Sequence, residues 1–236
     1  MISQTKIAIP IMQEKEEEII KTAEDYIKKG ADLLEIRIDS IINVNPKIVR
    51  NIIESIDFPI IATNRSEKEG GMFLGSEKER INILKSCSNF KNVKYIDIEL
   101  QTDSSLRNYI IKKCRESNIK TIVSFHDFKK TPSVDQLLEI VKQEKKIGDI
   151  AKIAVMPITL EDTISVLAIM SRCDNTIAIS MGELGSYTRV IASKFNAPIT
   201  FATGGDVTAP GQIDIETMKL LLNMDLMDHD ILLDDL

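Results

Sequence analysis

One pattern occurs eight times along the chain: a short apolar run followed by a longer segment with helical periodicity. The apolar runs predict strands at Lys6–Ile11, Asp32–Ile38, Pro59–Thr63, Lys94–Leu100, Lys120–Phe125, Asp149–Met156, Thr176–Met181 and Pro198–Ala202. The amphipathic segments predict helices at Gln13–Lys29, Pro46–Ile56, Ser76–Ser88, Ser104–Ser117, Ser133–Lys146, Thr159–Ser171, Ser186–Phe195 and Ile213–Asn223. Such alternation indicates a parallel sheet, because consecutive parallel strands need a crossover of about a dozen residues.

Eight strand–helix units in 236 residues are the number and the size expected for a (β/α)8 barrel. An open, doubly wound α/β sheet is the alternative, but no Gly-x-Gly-x-x-Gly pattern follows the first strand. No linker divides the sequence, so we predict a single-domain (β/α)8 TIM barrel of the α/β class over residues 1–236. Its last segment, 224–236, is an acidic tail that either docks or frays, and the sequence leaves both readings open.

Composition limits the class of partner and the cellular compartment. The 36 acidic and 30 basic residues leave a net charge of −6, which argues against nucleic acid as the main partner. No apolar stretch approaches the ~20 residues of a membrane span, and the N-terminus does not resemble a signal peptide. The three cysteines form no Cys-x-x-Cys pair. These features predict a cytoplasmic protein with neither a disulfide framework nor a metal site.

Lys152 interrupts an otherwise apolar run, Asp149–Pro157, which is long enough for a buried strand. Burial of an unpaired ammonium group is costly, and the usual relief is a lowered pKa that leaves a neutral amine. A neutral lysine amine in a dry pocket is a nucleophile toward ketones and aldehydes. The alternative is that Lys152 lies on the solvated side of an edge strand.

Other charged residues fall at predicted strand ends, where barrels of this kind carry their catalytic groups. Glu35, Arg37 and Asp39 alternate with apolar residues, so period-two geometry puts them on one face of the second strand. If that strand is buried on both sides, the three charges must pair with one another or with a ligand. An exposed edge strand is the alternative. On the fourth strand, Asp97 and Glu99 share a face and predict a charged network at the site.

Arg65 follows the third strand, and Glu69 comes four residues later, before the pair Gly70 and Gly71. The glycine pair frees the backbone to turn. Taken alone, the segment is an ordinary polar loop, and a solvated ion pair between Arg65 and Glu69 is the default interpretation.

His126 stands where the fifth strand meets its loop. Histidine titrates near neutrality, so at this position it is a candidate general acid and base. The other histidine of the chain, His229, lies in the acidic tail, where no such argument applies.

The last two predicted strands are followed by a further group of polar residues. Met181 ends the seventh strand, Arg189 follows it, and the glycine-rich loop Gly204–Gln212 follows the eighth. Barrels often hold a phosphate with the backbone N–H groups of such a loop. The Thr208 hydroxyl and the Gln212 amide could equally close over a carboxylate or a hydroxyl, with Arg189 as the counter-charge. The residues alone leave both interpretations open.

Taken together, these segments resemble the type I 3-dehydroquinate dehydratases, enzymes of the shikimate pathway, over nearly the whole chain. Six motifs carry the resemblance, in order: Glu-Ile-Arg-Ile-Asp (35–39), Arg65 with Glu-Gly-Gly (69–71), Ser-Phe-His-Asp-Phe (124–128), Lys-Ile-Ala-Val-Met-Pro (152–157), Met181 with Arg189, and Ala-Pro-Gly-Gln (209–212). Each motif is weak alone, but six in order, each at a predicted strand end, are specific.

The resemblance implies conversion of 3-dehydroquinate to 3-dehydroshikimate and water by syn elimination. Lys152 would form an imine with the C3 ketone, and His126 would remove the C2 proton and then protonate the departing C1 hydroxyl. Glu69 would orient His126. The implied substrate-binding residues are Glu35, Arg37, Arg65, Met181, Arg189, Thr208, Ala209 and Gln212. Because members of the family are often dimers, the resemblance also implies a homodimer.

The implied chemistry is consistent with the residues themselves. Loss of a β-hydroxyl from a ketone needs an acidified α-carbon, and an iminium on Lys152 supplies that electron sink without a metal or a bound cofactor. The expected partner is a small-molecule carboxylate, which the arginines would orient. Two positions depart from the family pattern: Thr208 stands where serine is expected, and Ile179 where a second methionine is common.

Two other functions stay open. One is a class I aldolase or phosphosugar barrel that uses the same lysine and holds phosphate with the glycine-rich loop. The other is a catalytically silent barrel that binds a metabolite, or a partner through its acidic tail.

Overall fold

Eight parallel strands follow one another around a barrel in the computed structural model, which describes residues 5–205 and 209–223. The strands are β1 (Lys6–Ile11), β2 (Leu33–Arg37), β3 (Ile60–Thr63), β4 (Val93–Glu99), β5 (Lys120–Asp127), β6 (Ile150–Val155), β7 (Thr176–Ser180) and β8 (Ile199–Phe201). The helices are α1 (Glu16–Lys28), α2 (Pro46–Ser55), α3 (Glu77–Cys87), α4 (Ser104–Glu116), α5 (Val134–Ile147), α6 (Leu160–Arg172), α7 (Gly182–Gly185), α8 (Thr188–Ile191) and α9 (Ile215–Asn223). The predicted (β/α)8 barrel is confirmed.

Hydrogen-bonded ladders join the strands in the order β7-β6-β5-β4-β3-β2-β1-β8. Within the described residues, no ladder joins β7 to β8, so the barrel is nearly closed rather than fully closed. One side-chain bond spans this seam: the Thr200 hydroxyl on β8 donates to the main-chain carbonyl of Arg189 in α8, at 2.7 Å.

The interior of the barrel is divided into an apolar and a polar part, because successive side chains of each strand point to opposite faces. Apolar side chains fill the part nearer the amino ends of the strands, among them Leu33, Ile61, Ile122, Ile150 and Ile177. Two residues further along the same faces come Glu35, Thr63, Ser124 and Lys152, all buried. The polar part of the interior therefore lies toward the carboxyl ends, where the loops can contribute to it.

The outward faces of the strands pack against the helices. On β6, for example, Ala151, Ile153 and Val155 lie in one cluster with Leu137 and Val141 of α5. Capping boxes at Ser76 and Ser133 fix the first turns of α3 and α5 by satisfying orphan N–H groups. None of the helices in the described part of the chain is long and apolar enough to cross a membrane.

The segment after β7 differs from the prediction of one helix over Ser186–Phe195. The structure has the short helices α7 and α8, followed by a 3-10 helix at Ala192–Phe195. Thr188 explains the break: its hydroxyl donates to the Gly185 carbonyl at 2.6 Å and accepts the Ser180 N–H at 3.1 Å. These bonds tie the segment back to β7, which a continuous helix would not allow.

Candidate active site

Lys152 lies on β6 with 5% of its surface exposed, so the edge-strand alternative is wrong. Its Nζ is 2.9 Å from Oδ2 of Asp97 and 3.8 Å from Oε1 of Glu35. The same atom is 4.5 Å from the centre of the Phe201 ring. The expectation of an unpaired ammonium is also wrong, because the amine lies between two carboxylates and an aromatic face.

Asp97 on β4 is the centre of a buried charged network. Its Oδ1 accepts hydrogen bonds from Ser124 Oγ at 2.6 Å and lies 2.9 Å from a guanidinium nitrogen of Arg65, while Oδ2 binds Lys152. Burial alone would raise the pKa of this carboxyl, but Arg65 and Lys152 outweigh that effect and hold the pKa below its ordinary value. Asp97 is therefore a fixed negative charge that positions both cations.

The loop after β3 is buried, and the expected solvated ion pair between Arg65 and Glu69 is wrong. Arg65 pairs instead with Asp97 and, at 3.4 Å, with Glu99. Glu69 ends a 3-10 helix at Glu67–Glu69, and Gly70 follows with φ 79°. This left-handed turn favours glycine, and the Glu69 carboxylate before it contacts His126 on β5.

The predicted row of three charges on β2 is only partly formed. Glu35 and Arg37 lie on the strand, but Asp39 lies in a 3-10 helix at Ile38–Ser40. The Arg37 guanidinium donates to both oxygens of Asp39, at 3.0 and 2.7 Å. Asp39 also accepts the main-chain N–H groups of Arg65 and Met72, at 3.0 and 3.2 Å. It therefore joins the loops after β2 and β3 to each other.

His126 lies on β5, which runs two residues beyond its predicted end. The ring Nδ1 is 2.8 Å from Oε2 of Glu69, and the same oxygen accepts the His126 main-chain N–H at 3.1 Å. Burial, reinforced by Arg65 and Lys152, lowers the pKa of His126 well below its ordinary value. Burial also raises the pKa of Glu69 to about 8. The imidazole is therefore neutral near pH 7, and the protonation state of Glu69 decides which ring nitrogen keeps its lone pair.

Arg189 is a buried cation whose hydrogen-bond partners among the described residues are main-chain carbonyls. Its Nε and one terminal nitrogen donate to the carbonyls of Gly211 and Pro210, at 3.1 and 3.3 Å. No carboxylate in residues 5–205 and 209–223 lies within ion-pairing distance of its guanidinium. Burial lowers the pKa of Arg189 to about 10, which still leaves it charged at neutral pH. A buried cation of this kind is suited to an anionic ligand.

These side chains surround one cavity of about 120 Å³ at the carboxyl ends of the strands. Its lining residues are Pro10, Met12, Glu35, Arg37, Arg65, Glu69, Gly70, His126, Phe128, Lys152, Ala154, Ile179, Met181, Arg189, Phe201, Ala209 and Gln212. Ten of the eleven expected site residues are thus brought together. The eleventh, Thr208, lies outside the described residues, as do His229 and the acidic tail 224–236.

Sequence analysis missed three lining residues, Pro10, Met12 and Phe201. Their positions could have indicated them, since Pro10 lies near the carboxyl end of β1, Met12 directly follows β1 and Phe201 ends β8. Phe201 is two residues after Ile199 on β8, so both side chains point to the same, inward face, and both lie in the interior apolar cluster.

A larger cavity, of about 680 Å³, lies over the loops after β2 and β3. It shares only Asp39 with the charged network and contains neither Lys152 nor His126. We therefore place the candidate site by its convergent polar groups rather than by cavity size. No group of three or more His, Cys, Asp and Glu side chains that could hold a metal ion occurs in the described part of the chain.

The chain matches proteins of one family along nearly its whole length. The family model described as type I 3-dehydroquinase matches residues 7–229. The 3-dehydroquinate dehydratase of Methanobrevibacter smithii is 62% identical over 226 residues, which are 96% of this chain and 98% of that protein. The 3-dehydroquinate dehydratase of Methanothermobacter thermautotrophicus is 47% identical, over 96% of this chain and 99% of that protein.

Solved structures give the same assignment. A type I 3-dehydroquinate dehydratase from Clostridium difficile with covalently modified comenic acid is 29% identical, with a TM-score of 0.88 and coverage of 94% of this chain and 92% of that one. A 3-hexulose-6-phosphate synthase is 11% identical, with a TM-score of 0.60 over 92% of this chain and 100% of that one, and this likeness shows the fold alone. From the family match and these relatives it follows that the chain belongs to the type I 3-dehydroquinase family of hydro-lyases.

Proposed function

We propose that this shikimate-pathway dehydratase converts 3-dehydroquinate to 3-dehydroshikimate and water through an imine on Lys152. The observation that carries the proposal is the placement of Lys152 and His126 on adjacent strands that face one cavity. In the register of β5 and β6, Ser124 lies opposite Lys152, and His126 lies opposite Ala154. His126 is thus one inward position beyond Lys152 along the strands, so one small ring can contact both side chains.

The first step forms the electron sink. The Lys152 ammonium group first gives up a proton, and the neutral amine attacks the C3 ketone of the substrate. The resulting carbinolamine takes a proton back as it loses water, which leaves an iminium. The carboxylates of Asp97 and Glu35, 2.9 and 3.8 Å from Nζ, stabilise this positive charge. The same carboxylates hold Nζ in place before the substrate arrives.

The second step is the elimination. His126 removes the C2 proton, and the electron pair of the C–H bond moves toward the iminium to form an enamine. The enamine electrons then form the C1–C2 double bond, the C1 hydroxyl leaves, and His126 returns the proton to it as water is formed. Hydrolysis of the product iminium restores the ketone and the free amine. Acid–base assistance of this kind typically contributes ~10²–10⁴-fold to the rate.

Arg189 supports the proposed substrate class. Among the described residues its guanidinium donates to main-chain carbonyls and pairs with no carboxylate, so a substrate carboxylate can pair with it. Met181 and Ala209 line the same side of the cavity, and Gln212 accepts the Ala209 N–H at 3.2 Å. We assign this group, with Thr208, to the carboxylate, and Glu35, Arg37 and Arg65 to the ring hydroxyls.

Four further expectations accompany the proposal. The chain forms a single catalytic domain over residues 1–236, acts as a homodimer, works in the cytoplasm and needs no cofactor.

The aldolase or phosphosugar alternative predicts competition by millimolar inorganic phosphate. The dehydratase instead predicts protection by a polyhydroxylated cyclohexane carboxylate, whose carboxylate and hydroxyls match the two groups of side chains.

The test is reductive trapping. The protein is incubated with 3-dehydroquinate, treated with borohydride and digested, and the modified peptide is mapped by mass spectrometry. A reduced adduct on Lys152, with the mass of the substrate or product imine, supports the proposal. The matched variants are Lys152→Met and Lys94→Met, the second of which changes an exposed lysine on β4. Trapping that persists in Lys152→Met, or near-wild-type turnover by that variant, would refute the imine.

A further inference from the structure

A further cavity, of about 540 Å³ and distinct from the two described above, lies on the outside of the barrel between α4 and α5. We call it the α4–α5 groove. It is lined by Leu100, Gln101, Arg107, Phe125, Ile140, Gln143, Lys146 and Ile147. Phe125 precedes His126 on β5 and therefore points to the opposite face of the strand, away from the catalytic cavity. The groove and the catalytic cavity share no lining residue.

The lining combines an apolar wall with positive charge. Leu100, Phe125, Ile140 and Ile147 form the apolar part, and the Phe125 ring is partly exposed there. Arg107 and Lys146 are cationic, and none of the eight lining residues is acidic. A cavity lining with two cationic residues and no acidic one contrasts with the net charge of −6 of the whole chain. The nearby carboxylate of Asp103 is engaged as the N-cap of α4, where it accepts the N–H groups of Ser105 and Leu106.

Arg107 keeps donor capacity that the protein does not use. One terminal nitrogen donates to the main-chain carbonyls of Leu100 and Thr102. Its Nε is buried and has no hydrogen-bond partner within the part of the chain that the structure describes. Because this Nε has essentially no accessible surface, only the terminal nitrogens of the guanidinium are offered to an anion in the groove.

We propose that the α4–α5 groove binds a small aromatic carboxylate. The carboxylate pairs with Arg107 and Lys146, and the aryl group packs on Phe125 and the aliphatic wall. An aromatic group suits this wall because it can stack on Phe125 and contact a cation with its face. The volume is within the range of natural small-molecule sites. Because the groove is separate from the catalytic cavity, its ligand binds whether or not the catalytic cavity is occupied.

The test measures binding of 3-phenylpropionate to the full chain by isothermal titration calorimetry, with the neutral 3-phenylpropanamide as the matched ligand. A ligand of this size is expected to bind with a Kd of about 1 mM. The affinity should fall with added salt, because the partly exposed charges are screened. The amide should not bind measurably.

Two variants locate the site. Lys146→Gln should weaken binding about 10-fold, as expected for loss of one hydrogen bond to a charged group. Lys142→Gln changes an exposed lysine one turn away on the same helix that does not line the groove, and this variant should bind like the wild type. Lys146 is exposed, so its variant is expected to fold, whereas Arg107→Gln also removes bonds to two carbonyls. Absence of saturable binding, equal binding of the amide, or wild-type affinity in Lys146→Gln would each overturn the proposal.

Discussion

One oxygen of Glu69 contacts both the ring and the main chain of His126. Oε2 lies 2.8 Å from Nδ1 and accepts the main-chain N–H at 3.1 Å. The protonation state of Glu69 therefore selects the tautomer of the ring. When Glu69 is ionised, Nδ1 carries the hydrogen and Nε2 keeps its lone pair, as a general base requires. When Glu69 is protonated, it can donate to Nδ1, and Nε2 then carries the hydrogen instead.

The first prediction is a rise of kcat/KM with pH. Burial raises the pKa of Glu69 to about 8 and keeps His126 neutral, so the competent tautomer is formed as pH rises through about 8. Glu69→Gln should remove this rise and lower kcat on the order of 10²-fold, because the amide no longer selects the tautomer. Glu67→Gln, an exposed neighbour, is the control. A wild-type pH profile in Glu69→Gln would show that another group titrates.

The second prediction concerns Arg189. Arg189→Gln should raise KM roughly 10- to 150-fold, the effect of losing a hydrogen bond to a charged group. Arg189→Lys keeps the charge but not the planar guanidinium, so its KM should lie between that of Arg189→Gln and that of the wild type. Arg50→Gln on the surface of α2 is the control. Steady-state kinetics with a circular dichroism check of folding decides the question. An unchanged KM in folded Arg189→Gln would place the substrate carboxylate elsewhere.

The third prediction concerns stability. Asp97→Asn keeps the shape of the side chain but leaves Arg65 and Lys152 without their shared carboxylate. Breaking a buried charge pair on one side typically lowers the free energy of unfolding by ~3–5 kcal/mol. Urea unfolding at pH 7 should show this loss, whereas Asp57→Asn at an exposed position should change it by less than about 0.5 kcal/mol. A loss as small as that of the control would mean that the network rearranges freely.

The fourth prediction concerns Glu144, a fully buried carboxyl on the inner face of α5. Burial raises its pKa well above the ordinary value, and the main-chain N–H of Lys152 offsets this only in part. The folded state therefore holds the proton more tightly than the unfolded state, and the contribution of Glu144 to stability falls as pH rises above the ordinary carboxyl pKa.

Glu144→Leu should accordingly stabilise the protein relative to wild type more at pH 8 than at pH 5. The expected gain at pH 8 is about 1–3 kcal/mol, the usual cost of a poorly satisfied buried polar group. Urea unfolding at the two pH values measures it, with Glu54→Leu at an exposed position of α2 as the control. A difference from wild type that does not change with pH would contradict the assignment.

Much of the barrel was predictable because its signals are local. Each strand is a short apolar run and each helix an amphipathic segment, so their alternation could be read without knowing any contact. The same holds for the position of His126 and Lys152, since polar residues at the carboxyl ends of parallel strands converge on one edge. Their roles in catalysis stay predictions.

The pairing of charges was not predictable because it depends on distances between separate strands. Asp97 on β4 reaches Lys152 on β6, and β5 lies between them. Arg65 and Glu69 are four residues apart, yet Arg65 pairs with Asp97 and Glu99 whereas Glu69 contacts His126. The split of the predicted helix after β7 likewise depends on the hydrogen bonds of Thr188 to the strand before it.

Because no ladder joins β7 to β8 in the described residues, the barrel is an eight-stranded sheet that curves until its two edge strands face each other. At this seam the main-chain groups of β7 and β8 that face each other do not form a ladder, and no other pair of neighbouring strands in the described barrel lacks one. Lys152 lies on β6, next to the edge strand β7, and His126 lies on β5, which is paired with β6 over six residue positions. The ladder between β5 and β6 therefore sets the spacing of the two reacting groups, whereas Met181 and Arg189 follow the edge strand β7.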